Sequence, residues 1–157
     1  MSRIKTLIEK MKDGNIPPYV EKIAKKEALA KEALVESVIQ GTTVIPCSRK
    51  RKLKAPSAIG LGLRTKVNAN IGTSSDYSRI EDELEKLDAA CKAGTDTVMD
   101  LSTGGPVDRI LETIVARSPV PVGSVPIYQA AILAREKKGS IVGMTEEDMF
   151  EAIEIHC

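Results

Sequence analysis

Residues 62–72, GLRTKVNANIG, place Lys66, Asn68 and Asn70 at alternate positions of what is predicted to be a core strand. Successive side chains of a strand point to opposite faces, so these three polar groups share one face and apolar residues take the other. A buried amide or ammonium group without a partner costs about 1–3 kcal/mol. The segment therefore indicates either a strand whose polar face looks into a ligand pocket or an edge strand whose polar face is hydrated.

Beyond this segment, strand and helix signals alternate, which is typical of parallel βα units. Strands are predicted at residues 65–71, 97–101 and 120–125, each followed by a helix. Ligands bind at the carboxyl ends of parallel strands, and Asn70, Met99 and Tyr128 fall at those ends. The interval from Asn70 to Met99 and the interval from Met99 to Tyr128 are both 29 residues. Equal spacing predicts that successive units place one residue each around a shared mouth.

The part of the chain before residue 56 has a different character. Its charged, apolar-periodic pattern predicts helices at residues 2–11 and 17–40, followed by a basic run, SRKRKLK, at residues 48–54. The predicted organisation is a helical region with a basic loop at 1–55 and an α/β region at 56–157. The basic run is open to two interpretations, a solvated loop or a contact for phosphate or RNA.

Composition limits the class of protein. The 157 residues are 42% hydrophobic and 29% charged, with a net charge of +1, which indicates one ordinary globular core and no global attraction to nucleic acid or anionic lipid. No apolar run is long enough to span a bilayer, and the start, MSRIKTLIEK, lacks the pattern of a signal peptide, so a cytoplasmic location is expected. The scattered Cys47, Cys91 and Cys157 indicate neither a disulfide framework nor a local metal clip.

Local signals add three expectations. Ser78 with Glu81 and Thr145 with Asp148 have the spacing of helix N-terminal caps. The loop at residues 102–105, STGG, is open to two interpretations, an anion site built from free backbone N–H groups or a tight βα turn that needs glycine. The pattern of a nucleoside triphosphatase P-loop is absent.

Long blocks of the sequence resemble one family. The blocks GLRTKVNANIG, GTDTVMDLSTGG and SPVPVGSVPIYQA, with GTTVIP upstream and MTEEDMFEAIE downstream, run in order over residues 41–153 and resemble the phosphomethylpyrimidine synthase (ThiC) family of thiamine biosynthesis. The resemblance implies a (β/α)8-barrel enzyme that uses a [4Fe-4S] cluster and S-adenosylmethionine to form a radical and rearrange aminoimidazole ribotide into hydroxymethylpyrimidine phosphate. The expected fold here is α/β, a partial (β/α)8 barrel of the first three to four βα units after an N-terminal helical region.

The resemblance also implies site residues. Asn70 in VNANIG, Met99 in TVMDLS and Tyr128 in VPIYQ match substrate-binding positions of the family, and His156 matches the histidine of its IHxG segment. About ten residues of the family pattern are missing before Ile155, so the fourth strand is expected to be a stub. The resemblance assigns no catalytic residue within this chain.

Family members also carry paired zinc-binding histidines and a C-x-x-C-x-x-x-x-C motif for the cluster, whereas this sequence has one histidine and no such motif. The hypothesis is an N-terminal portion of the enzyme that is inactive alone and holds none of the metal ligands. The family implies a small-molecule substrate, aminoimidazole ribotide, and a homodimer. Two alternatives stay open: a non-catalytic ligand-binding or assembly module, and an RNA-associated protein acting through residues 48–54.

Overall fold

Three short helices and a two-stranded antiparallel sheet make up the first of two compact units, Met1–Lys66. The computed structural model describes residues 4–48 and 50–156. The elements are α1 (Leu7–Lys12), α2 (Pro18–Lys26), α3 (Lys31–Ile39), β1 (Thr43–Val44) and β2 (Ile59–Gly60). Apolar side chains from these elements and the adjoining loops form one core: Met11, Val20, Ile23, Ala24, Leu34, Val38, Ile45 and Ala58. The domain division predicted at residue 56 falls inside this unit and stays a prediction.

In place of the single helix predicted over residues 17–40 there are two helices, because the first of them ends at Lys26. Ala28 adopts a left-handed backbone conformation with φ of 54°, which ends α2. The adjacent Glu27 turns its carboxylate inward, where the side chain is 1% exposed and lies 2.9 Å from Lys66 Nζ. Apolar periodicity alone does not register a buried ion pair of this kind. The first helix also differs from its prediction, since it begins at Leu7 behind a capping box of Thr6 and Glu9.

The second unit, Val67–Cys157, is an α/β structure with a parallel sheet. Its elements in order are β3 (Asn68–Ile71), α4 (Ile80–Lys92), β4 (Thr97–Asp100), α5 (Val107–Arg117), β5 (Val122–Ser124), α6 (Pro126–Lys138), a 3₁₀ turn (Ile141–Gly143) and α7 (Glu146–His156). The strands lie side by side in the order β3-β4-β5. The predicted α/β class and parallel βα units are confirmed, and the sheet is open, with β3 and β5 at its edges.

The register of the sheet determines which side chains share a face. Asn70 of β3 pairs with Met99 of β4, and Met99 pairs with Gly123 of β5. Because partners across a parallel ladder point the same way, these three positions lie on one face. The next positions along, Ile71, Asp100 and Ser124, pair with one another on the opposite face. Side chains of α5, α6 and α7 line a cleft together with Asp100 and Ser124, so these helices cover that second face.

The last element corrects one prediction and supports part of another. The stub of a fourth strand expected at Ile155 and His156 is instead the end of α7, because that helix continues without interruption from Glu146. One half of its predicted cap is present, since Asp148 Oδ2 accepts hydrogen bonds from the backbone N and the hydroxyl of Thr145, at 2.8 and 3.1 Å.

The cap predicted at Ser78 is wrong. Helix α4 begins at Ile80 after Arg79, and no side chain caps its first turn. Ser78 is instead drawn into a loop contact, where its side chain lies beside Gly105. Across residues 4–48 and 50–156, no helix has the length and apolar character needed to cross a membrane.

Candidate functional site

The face of the sheet that carries Asn68, Asn70 and Met99 is here called the uncovered face, because Asn68 and Asn70 are exposed on it. A series of hydrogen-bonded amide and hydroxyl groups runs along this face. Thr97 Oγ1 donates a hydrogen bond to Asn68 Oδ1 at 2.7 Å, and Asn68 Nδ2 donates to Asn70 Oδ1 at 2.9 Å. The side-chain oxygens of Asn68 and Asn70 are therefore both engaged as acceptors. The Asn70 amide nitrogen is therefore left as a donor on an exposed side chain, where it suits an acceptor atom of a ligand.

Met99 lies beside Asn70 on the same face and extends over the neighbouring strand. The sulfur and the terminal methyl carbon of Met99 are both 3.0 Å from the point that a Cβ at Gly123 would occupy. The thioether thus covers the backbone of β5 where that strand has no side chain. Thioethers are polarisable and pack well against flat rings. Asn70 and Met99 together present one hydrogen-bond donor beside one apolar surface.

Lys66 does not extend this polar row. Its ammonium group lies 2.9 Å from the Glu27 carboxylate and donates to the backbone oxygen of Arg64 at 2.6 Å, and its side chain is 8% exposed. Glu27 also accepts a hydrogen bond from the backbone N of Arg64 at 3.0 Å. Lys66 precedes β3 and stabilises the first unit. Of the three polar side chains predicted to share a strand face, Asn68 and Asn70 do so.

A second group of polar residues lies in the cleft on the helix-covered face. The cleft has a volume of about 20 Å³, which is room for about one water molecule. Tyr128, in the first turn of α6, and His156, in the last turn of α7, both line it. The other lining residues are Asp100, Ser102, Val107, Leu111, Ser124, Val125 and Gln129.

The imidazole of His156 is held by hydrogen bonds at both nitrogens. Nδ1 lies 2.6 Å from Ser124 Oγ, and Nε2 lies 2.5 Å from Gln129 Oε1. Because the Gln129 nitrogen donates to Asp108, its oxygen accepts from Nε2–H, which leaves Nδ1 to accept from the Ser124 hydroxyl. Burial lowers the pKa of His156, and the charges of Asp108 and Asp100 oppose that shift.

Asp100 serves the local turn. Its Oδ1 accepts hydrogen bonds from the backbone N of Ser102 at 3.0 Å and from the Ser102 hydroxyl at 2.5 Å, a pattern in which aspartate closes the loop after a strand. Burial is the main cause that raises the pKa of Asp100, and the two hydrogen bonds from Ser102 counter it.

The four residues expected to bind substrate form two pairs. Asn70 and Met99 are neighbours in register on the uncovered face, whereas Tyr128 and His156 line the cleft on the other face. The first 29-residue interval thus corresponds to a direct pairing of strands. The second does not, because the partner of Met99 in β5 is Gly123. Sequence reasoning missed Gly123, Ser124 and Gln129; for Gly123 the signal was available, since it precedes the end of the third predicted strand.

The glycines of the STGG loop are required by close packing. A Cβ at Gly104 would lie 2.2 Å from the backbone carbon and oxygen of Ser74. Hydrogen bonds join the two loops at the same place: Thr73 Oγ1 donates to the Gly104 oxygen at 2.7 Å, and the backbone N of Thr103 donates to the Thr73 oxygen at 2.9 Å. These contacts support the interpretation of the loop as a tight βα turn.

The part of the chain that the structure describes contains no cluster of side chains that could bind a metal ion. Among those residues, no three His, Cys, Asp or Glu side chains come together as a metal site requires. Cys47 is exposed beside the Tyr19 hydroxyl, 3.4 Å from its sulfur, and Cys91 lies on α4. Two residues named above lie outside the described residues: Cys157, and Arg49 of the basic run. The described residues do not fit a [4Fe-4S] cluster, which needs convergent thiolates.

Comparison with known proteins gives a consistent family. Residues 6–157 match the sequence model of the radical SAM ThiC family. A phosphomethylpyrimidine synthase of Desulforudis audaxviator is 51% identical over 141 residues, which cover 90% of this chain and 33% of that protein. A phosphomethylpyrimidine synthase of Moorella thermoacetica is 47% identical over 152 residues, or 97% of this chain and 35% of that protein.

A relative with a different activity in its name is equally similar. The 5-hydroxybenzimidazole synthase BzaB of Moorella thermoacetica is 53% identical over 141 residues, which cover 90% of this chain and 33% of that protein. The chain therefore spans about a third of the length of the curated relatives it matches.

Proposed function

Because this chain belongs to the radical SAM ThiC family, we propose that it forms the part of a phosphomethylpyrimidine synthase that contacts the substrate through Asn70 and Met99. The observation that carries this proposal is the register that sets Asn70 beside Met99 on an uncovered face at the carboxyl end of the sheet. The free amide N–H₂ of Asn70 suits a ribose, phosphate or ring acceptor. The Met99 thioether suits the flat imidazole of aminoimidazole ribotide.

Tyr128 and His156 have a second place in the proposal. Tyr128 lines the cleft and is 43% exposed, and its hydroxyl suits a ribose or phosphate oxygen. Both ring nitrogens of His156 are hydrogen-bonded, one to Ser124 and one to Gln129. A hydrogen bond from His156 to the substrate requires one of these two bonds to break. Because both residues line the cleft on the face opposite to Asn70 and Met99, we propose that each reaches the same substrate only after a rearrangement of α6 or α7.

The sheet order supports a partial (β/α)8 barrel as the architecture. Strands β3, β4 and β5 are neighbours in the order in which they occur along the chain, as in a barrel, with no reversal of direction across the sheet. In this proposal the uncovered face that carries Asn70 and Met99 is the inner wall of the barrel, and other strands close it.

The family's cofactors define what this chain contributes. A [4Fe-4S] cluster and S-adenosylmethionine, when bound, supply the radical, and the family also uses zinc. The described residues of this chain offer no ligand set for either metal, so their part is to bind and orient the substrate. We propose that cluster and zinc ligands belong to sequence beyond this chain, and that the complete enzyme is a cytoplasmic homodimer.

Isothermal titration of the chain with aminoimidazole ribotide tests the proposal. We expect saturable binding that falls about fivefold in Asn70→Ala, because one hydrogen bond to the ligand is worth about 1 kcal/mol. The matched control is Asn15→Ala, an exposed asparagine of the first unit, which should bind as the wild type does. Absence of binding by the wild type, or equal loss in both variants, would refute it.

The similarity to BzaB favours a second candidate function, synthesis of 5-hydroxybenzimidazole. A chimera separates the two: residues 6–157 replace the matching third of the Moorella thermoacetica phosphomethylpyrimidine synthase, and products are measured anaerobically. Hydroxymethylpyrimidine phosphate as the product supports the first proposal. A switch to 5-hydroxybenzimidazole supports the second.

The RNA interpretation of residues 48–54 stays a prediction. In the structure, residues 50–54 lie in a loop, and its lysines are exposed. Salt-dependent RNA binding that persists in Asn70→Ala and is lost when Lys50, Arg51 and Lys52 are neutralised would favour it over the enzymatic proposal.

A further inference from the structure

Gly123 is the one residue of β5 that faces Met99, and it lacks the side chain that would compete for the same space. The two residues are partners in the parallel register, on the uncovered face of the sheet. The Met99 sulfur and terminal methyl carbon each lie 3.0 Å from the position of a Cβ on Gly123. This separation is shorter than an ordinary van der Waals contact between such atoms, about 3.5–4.0 Å.

We propose that Gly123 is a positioning residue for Met99. Without a Cβ at position 123, the thioether lies across β5 and forms an apolar surface on the uncovered face, beside the Asn70 amide. With any other residue there, the thioether is displaced toward the ligand space or toward β3. The inference rests on the proposed function, because it gives Met99 the role of packing against the substrate ring.

The backbone gives Gly123 no other reason to be glycine. It lies within β5, and its φ is not in the left-handed region, so an alanine fits the backbone without strain. This separates Gly123 from Gly72 and Gly105, whose φ values are 147° and 74°. The nearest backbone atom to the added Cβ is the Val98 oxygen at 3.9 Å, an ordinary contact. Among residues 4–48 and 50–156, the close neighbours of the added carbon are the two atoms at the flexible end of the Met99 side chain, so Gly123→Ala should move Met99 and leave the fold unchanged.

Two measurements test the inference. The first uses chain labelled with carbon-13 at the methionine methyl groups, of which it has five. The Met99 signal is identified by its loss in Met99→Leu. In the wild type we expect a nuclear Overhauser contact between the Met99 methyl and the Gly123 α protons. In Gly123→Ala that signal should shift and the methyl should leave position 123, with an unchanged circular dichroism spectrum.

The matched control is Gly143→Ala, the same change in the same unit, where the added carbon would meet Lys138 at an ordinary 3.4 Å. It should leave the Met99 signal in place. The inference is overturned if the Met99 methyl keeps its shift and contacts in Gly123→Ala, or if Gly143→Ala moves it equally.

The second measurement is titration of aminoimidazole ribotide into Gly123→Ala, Met99→Ala and the double variant. Each single change should weaken binding about tenfold, the cost of a small misfit in an apolar contact. The double variant should be no weaker than Met99→Ala, because the effect of Gly123 acts through Met99. Additive losses would overturn the inference. If the wild type does not bind, the proposed function fails, and the methyl spectra alone still decide whether Gly123 positions Met99.

Discussion

The Glu83 carboxylate of α4 accepts a hydrogen bond from the backbone N of Gly72 at 2.7 Å, at the point where β3 ends. The Glu83 side chain is 1% exposed, and its second oxygen lies 2.6 Å from Lys86 Nζ. Gly72 itself has a φ of 147°, and a Cβ there would lie 2.6 Å from the backbone of Leu101. A helix side chain thus fixes the strand end two residues after Asn70.

Glu83→Ala should therefore destabilise the second unit by about 1–3 kcal/mol, because the half-buried Gly72 N–H would be left without its acceptor. Glu83→Gln keeps an acceptor oxygen and should cost less. Urea unfolding measures both, with Glu85→Ala on the exposed side of the same helix as the control, expected within about 0.5 kcal/mol of the wild type. Equal effects of Glu83→Ala and Glu85→Ala would contradict the assigned role.

Gly104→Ala should disturb the two loops that meet at the carboxyl edge of the sheet. The added carbon would lie 2.2 Å from the Ser74 backbone. Because backbone atoms cannot rotate away as the end of a side chain can, the loop that contains Ser74 would have to shift. We expect a loss of about 1–3 kcal/mol in stability, as for overpacking of a close contact. Hydrogen exchange should show faster exchange of the Thr103 amide, which donates to the Thr73 oxygen.

The same comparison in Gly143→Ala should show no change at Thr103. An unchanged Thr103 exchange rate in Gly104→Ala would mean that the loops are not packed as described.

Lys66→Met should destabilise the first unit by about 3 kcal/mol, since it leaves the buried Glu27 carboxylate without its ammonium partner. The double variant Glu27→Gln with Lys66→Met should recover part of that loss, because no charge then remains buried. Thermal unfolding compares the four proteins of this cycle. Additive losses in the double variant would show that the two residues do not interact.

The stability of the second unit should fall on mild acidification through His156. Burial lowers the pKa of this imidazole below the value of about 6.5 that it has in an unfolded chain. The unfolded state therefore binds the proton more tightly, so the contribution of His156 is complete above that pH and is lost as the pH falls through it.

The chain has one histidine, so this titration is read from a single set of imidazole signals by NMR. Urea unfolding at a pH of about 7.5 and about 5.5 should show a loss at the lower pH that is smaller in His156→Gln. A pKa for His156 above that of the unfolded chain would reverse the sign and contradict the prediction.

Periodicity predicted the α/β class and the three strands of the second unit, because alternation of apolar strands and amphipathic helices is a local property of the sequence. It also placed Asn70 and Met99 at the ends of neighbouring strands, where the register of β3 and β4 pairs them. The same reasoning extended the 29-residue interval to Tyr128, but the partner of Met99 in β5 is Gly123, and Tyr128 lies in the first turn of α6.

The remaining errors have one physical origin, in side chains whose partners are distant in sequence. Glu27, at the end of α2, is paired with Lys66, and the environment of His156 depends on Ser124 and Gln129, which lie 32 and 27 residues away. A residue pattern within one element carries no trace of such pairs. The cap signal at Ser78 also failed, and the Ser78 side chain lies beside Gly105 instead.

The uncovered position of Asn70 and Met99 has a kinetic consequence. A ligand resting on an open sheet is desolvated on one side only, and nothing must open before it leaves. Its dissociation should therefore be fast, and the lifetime of the complex should be short even where equilibrium binding is measurable. Any second surface that closes over this face would lengthen the lifetime of the bound ligand far more than it would change the rate of arrival.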